Sequence, residues 1–161
     1  MQPRRVILHC SDSSDDNKSK ICAKDIEGWH VQQRGFKRIG YHDVIKRDGT
    51  REAGRPPTVQ GAHAFGENQD SIGVCYVGRN SPSANQIRTL LEIYQDYRVK
   101  FSIPWTQWYG HYEFNKVKSC PGLPMDALRL FLALFDEGDF DLGHSDDQVR
   151  TFLQMLAARS H

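Results

Sequence analysis

Short, wholly apolar runs along this chain alternate with segments whose apolar residues recur every three to four positions. That alternation predicts strands interleaved with helices, an α/β class with a mixed sheet. Arg5–Cys10 reads as a buried strand, because its apolar run is continuous rather than alternating. Ser11–Lys20 is polar and reads as a mobile loop. Lys24–Arg34 reads as a helix with Ile26, Trp29 and His30 inward and Gly35 as its stop. Gly40 onward reads as a strand closed by the turn Asp48-Gly49, with a return strand over Thr50–Ala53. If Tyr41 and His42 both lie in that strand, they point to opposite faces, and only one can meet a site. Ser71–Gly78 reads as another buried strand. Pro82–Val99 reads as a long helix with Ser83 as N-cap and the stripe Ile87, Leu90, Leu91, Tyr94. Phe101–Tyr109 is expected to be extended. A helix follows from Pro124 to about Phe135, then an acidic linker over Gly138–Gly143. The final amphipathic helix, Ser145–Arg159, has Val149, Phe152, Leu153 and Leu156 on one face. Ser145 and Gln148 fit its capping box, and Arg159 suits its dipole.

At 161 residues, this pattern fits one domain. The central sheet and its helices are expected over residues 1–137, and 138–161 as a linker and extra helix packed on the same domain. The net charge of +1 gives no electrostatic case for nucleic acid or an anionic membrane, and a monomer is expected. No apolar stretch approaches a membrane span, and Met1–Arg5 does not open a signal peptide. Synthesis in the cytoplasm is therefore expected. Cys10, Cys22, Cys75 and Cys120 are too scattered for a disulfide scaffold and are expected as free thiols, Cys75 as a small core residue.

The richest chemistry lies in Gly110–Gly122, which holds an imidazole, two lysines and a thiol. His9 at the end of its strand, where α/β sheets place ligands, is either a satisfied core histidine or a ligand, in which case His9, His111 and Cys120 would make a three-ligand zinc site. The fourth position would be open to water. The His-x8-Cys spacing by itself matches no zinc finger. The aromatics Trp105, Trp108, Tyr109 and Tyr112 are either core packing or a platform for a sugar or peptide.

Taken in order, strand-His9, Gly40-Tyr41-His42, Arg47-Asp48-Gly49, Gly61-Ala62-His63, Asn68 with Ser71–Val74, Gly110-His111 and Lys118-x-Cys120-Pro121-Gly122 form a signature. It closely resembles the zinc-dependent N-acetylmuramoyl-L-alanine amidases of type 2, which include small phage endolysins and the peptidoglycan-recognition proteins. The resemblance covers about residues 4–135. It implies Zn2+ held by His9, His111 and Cys120, and catalytic roles for Tyr41 and Lys118. His63 and Asn68 are implied to bind substrate. The implied substrate is the amide joining the muramic acid lactyl group to L-alanine in peptidoglycan. Size and N-terminus look most like a phage endolysin, made in the host cytoplasm and acting on the wall after release. His42 takes no implied role. A non-catalytic recognition module of the same fold, and a thiol hydrolase with Cys120 as nucleophile and His111 as base, are the rival readings.

Overall fold

The computed structural model describes residues 1–138 and 145–159. Five strands form one sheet: β1 (Arg5–Cys10), β2 (Asp43–Ile45), β3 (Arg51–Ala53), β4 (Ser71–Tyr76) and β5 (Trp108–Gly110), in the order β3-β2-β4-β1-β5. The β2–β3 pair is antiparallel and the remaining pairs are parallel, so the sheet is mixed as expected.

Strand alternation divides the side chains between two faces. Val6, Leu8, Ile45, Ile72, Val74 and Tyr76 enter the larger core. That core is covered by α2 (Ala84–Phe101), α4 (Met125–Asp136) and α5 (Ser145–Arg159). Val44, Cys75 and Val77 enter a smaller core with Ile26 of α1 (Ala23–Arg34). His9 is paired in register with Cys75, and so lies on the α1 face at the carboxyl end of β1.

The helices end where local chemistry stops them. Ser83 accepts from the Gln86 N–H at 3.2 Å while Gln86 Oε1 accepts from the Ser83 N–H at 2.9 Å, a reciprocal cap on α2. The α1 helix closes on Gly35, whose φ of 67° lies in the left-handed region. Phe152 of α5 stacks on Phe131 of α4, ring centroids 4.1 Å apart, and Val149 and Leu156 are buried beside it. Linker residues 139–144 lie outside the described residues. So do the side chains of Ser145, Gln148 and Arg159, and with them the expected cap and dipole contact.

Three expectations change. The strand expected from Gly40 begins only at Asp43, and Tyr41 and His42 precede it. The extended stretch expected over Phe101–Tyr109 holds the end of α2, then a 3-10 turn at Trp105–Gln107, and β5 is left short. Pro104 lies just before that turn, where it lacks the N–H a longer strand would use. The polar Ser11–Lys20 loop is tied down: Arg47 Nη2 donates to Asn17 Oδ1 at 2.6 Å, and Asp15 Oδ1 accepts from the Arg79 N–H at 2.7 Å. Among the described residues no helix is long and apolar enough to cross a membrane.

Candidate metal centre

β1 and β5 are adjacent and parallel, so their carboxyl ends open on the same edge of the sheet. His9 is the next-to-last residue of β1, and His111 directly follows β5 as the first residue of the short helix α3 (His111–Phe114). Glu113 Oε2 accepts from the Gly110 N–H at 2.7 Å and pairs with Arg129 of α4, which fixes the start of α3. Cys120 arrives on a turn packed against Gly110. A Cβ there would come within 2.8 Å of Pro121 and 2.9 Å of Met125, so glycine is what lets the turn close on His111.

These three side chains converge. One ligand atom from each of His9, His111 and Cys120 lies within 4.8 Å of the others. His9 Nδ1 is 3.8 Å from Cys120 Sγ, and the His9 and His111 ring centroids are 4.6 Å apart. Cys120 Sγ also accepts from the Cys10 N–H at 3.2 Å. The group can hold a metal ion.

Burial first, then the neighbouring His63, His111 and His30 and last Arg34, holds His9 well below the usual imidazole range. His111 is lowered by burial and by the Lys118 ammonium. Both are therefore neutral at pH 7 and have lone pairs to give. The hydrogen bond shared with the Cys10 thiol, and burial, push the Cys120 thiol up. Without a cation beside it, Cys120 keeps its proton. All four cysteines are unpaired.

The group opens into a cavity of about 480 Å³ between α1 and the sheet edge. Tyr41 and Lys118 line it, and so does one edge of His63. Tyr41 is buried against His9, ring centroids 5.0 Å apart, and burial raises its phenol so that it remains a hydrogen donor. Lys118 is exposed. His42 turns away from the cavity: its Nδ1 accepts from the Gly73 N–H and its Nε2 faces the Val59 carbonyl, both at 2.9 Å.

Asn68 does not line the cavity. Its Oδ1 accepts from the backbone N–H groups of His63 and Ala64 at 2.9 and 3.0 Å and braces the loop that carries His63. The aromatic platform weighed from sequence does not form here. Trp108 is fully buried against Tyr94, and none of Trp105, Tyr109 and Tyr112 lines the cavity. Residues that sequence reasoning left out do line it: Trp29, His30 and Arg34 on α1 and Ser11–Ser13 after β1. His30 and Arg34 are four residues apart, one helical turn, and that spacing was the signal for a shared face.

Comparison with known proteins places this geometry. The family profile described as N-acetylmuramoyl-L-alanine amidase matches residues 1–123. The chain belongs to that family. It is 31% identical to the endolysin of Klebsiella phage KP32 over 127 residues, which cover 75% of this chain and 82% of that one. It is 45% identical to the endolysin of Escherichia phage T7 over 73 residues; that match spans only about half of each protein, 45% of this chain and 46% of the relative. Among solved structures, the amidase LysC from Clostridium intestinale superposes with a TM-score of 0.72 at 26% identity, over 83% of this chain and 87% of that one.

Proposed function

We propose that this amidase-family chain is a zinc-dependent phage endolysin. It hydrolyses the amide between the muramic acid lactyl group and L-alanine in bacterial peptidoglycan. The observation that carries the reading is the convergence of His9, His111 and Cys120 at the mouth of one cavity. The phage endolysin relatives support the setting.

The donor set fits zinc. Two imidazoles and a thiol suit a borderline-soft ion rather than magnesium or calcium, which prefer oxygen. In a tetrahedral zinc site, ordinary bond lengths put a nitrogen and a sulfur about 3.6 Å apart, close to the 3.8 Å between His9 Nδ1 and Cys120 Sγ. Three protein ligands leave room for water or substrate. When bound, zinc supplies a Lewis acid that activates water and polarises the amide carbonyl.

The chain's own groups supply the rest. The Lys118 ammonium, two residues from Cys120 on the cavity wall, faces the carbonyl oxygen as it gains negative charge and stabilises it. Tyr41, whose phenol burial keeps protonated, is a hydrogen donor into the same cavity. The walls formed by α1 and the loop after β1 orient the substrate beside the ligands.

Digestion of purified peptidoglycan with and without a chelator, followed by mass spectrometry, tests this. New L-alanine amino ends, lost on chelation and restored by zinc, are expected. New reducing sugar ends would make the protein a glycosidase. Full activity in excess chelator would move the chemistry to the Cys120 thiol.

A further inference from the structure

His63 stands beside the metal group without belonging to it, and its surroundings hold the ring in one orientation. Asn68 pins its backbone N–H. Gly73, on β4, faces the ring so closely that a Cβ there would lie 2.5 Å from His63 Cγ. At Gly61 a Cβ would lie 2.6 Å from Cδ2. The His42 ring packs edge-on at 5.7 Å.

Both ring nitrogens of His63 are engaged. Nδ1 is 3.1 Å from His9 Nε2, and Nε2 is 3.4 Å from both the carbonyl and the hydroxyl oxygen of Ser71. The Ser71 hydroxyl gives its hydrogen to the Glu67 carbonyl at 2.6 Å, so both Ser71 oxygens face His63 as acceptors. Nε2 of His63 must then carry the hydrogen, which leaves Nδ1 to accept. Its partner must donate, so His9 carries its hydrogen on Nε2 and presents a lone pair on Nδ1. That Nδ1 lies 3.8 Å from Cys120 Sγ.

The geometry points to His63 as the positioning residue of the metal centre: by accepting the Nε2–H of His9 it fixes that tautomer and aims the Nδ1 lone pair at the space shared with His111 and Cys120. This rests on the reading of those three residues as ligands, and it gives His63 a role other than binding substrate. Hydrogen bonds of this kind behind a ligating histidine typically contribute a factor of about 10–100 in metal affinity.

Zinc affinity, measured by chelator competition without any substrate, separates this role from the hydrolytic reading. His63→Leu, which keeps bulk and removes the acceptor, should bind zinc about 10–100-fold more weakly and shift the visible bands of the cobalt-substituted protein. His63→Asn, whose Oδ1 can take the place of Nδ1, should recover most of the affinity. Wild-type affinity in the leucine variant would overturn the proposal. So would an asparagine variant as weak as the leucine one, since ring volume would then be the cause. A check needing no variant is the nitrogen-15 spectrum of the zinc-loaded wild-type protein. His9 and His63 should both appear as Nε2–H tautomers, and an Nδ1–H tautomer at His63 would refute the relay.

Discussion

Cys120 carries a conflict that only a cation resolves: burial and its hydrogen bond to Cys10 hold the proton on the sulfur, while a metal needs the thiolate. His9 and His111 are shifted the other way and are already neutral at pH 7. Zinc binding should therefore release about one proton, from Cys120, and affinity should rise roughly tenfold per pH unit across the neutral range. Calorimetry in buffers of different ionisation enthalpy reads that number directly; release of no proton would mean the thiolate is already present. Cys120→Ser should lose both tight zinc binding and lysis. Lys118 and Tyr41 face the cavity without being ligands, so Lys118→Ala and Tyr41→Phe should keep zinc and lose kcat, by roughly a hundredfold for a group that stabilises the developing charge. Values of kcat/KM within about threefold of wild type in both variants would remove them from the mechanism. These residues were named as candidates from the sequence through their resemblance to a family pattern. The use of His63 was not legible there, because which nitrogen of an imidazole carries hydrogen depends on neighbours drawn from β1, β4 and the loop between them.

Continuous apolar runs located β1 and β4, which are buried on both faces, and period-3.6 patterning located α1, α2, α4 and α5, which each bury one apolar face; both signals are local. They misplaced the approach to β2 and the stretch before β5, where proline and the pairing available from neighbouring strands set the limits. The α5 stripe shows how an element's sequence demands burial without naming the partner. Here the partner is α4 together with α2, with the buried Phe152 ring stacked on Phe131. Phe152→Ala should accordingly cost about 3–5 kcal/mol in denaturant unfolding, with turnover of soluble muropeptides unchanged at a temperature where the variant is folded. Unchanged stability with lost activity on whole walls would instead make α5 a targeting element.

For the molecule as a whole, buried neutral imidazoles tie stability to pH. His30 accepts from the Gly40 N–H at 2.9 Å through Nδ1, and burial, with Arg34 and Arg55 nearby, lowers it to about 4 from the ordinary 6.5. Because the folded value lies below the unfolded one, this contribution is complete above about pH 6.5 and is lost as pH falls toward 4. The metal-free protein should lose stability through that window. His30→Asn should remove up to about 1.4 kcal/mol per pH unit of the slope; a slope that the variant leaves unchanged would place the titration elsewhere. The sequence by itself determined the α/β class and the principal helices and strands, because hydrophobic period is a property of the chain alone; it named His9, Tyr41, His111, Lys118 and Cys120 as candidates through their resemblance to a family pattern. Only the tertiary structure decided that β1 and β5 lie side by side and parallel, bringing His9 within reach of residues about a hundred positions away. It alone decided that Asn68 braces a loop, that Trp108 belongs to the core, and that Trp29, His30 and Arg34 form a wall of the cavity. Those outcomes depend on which surfaces meet when the two cores close, and no local pattern encodes the distance between segments so far apart in the chain.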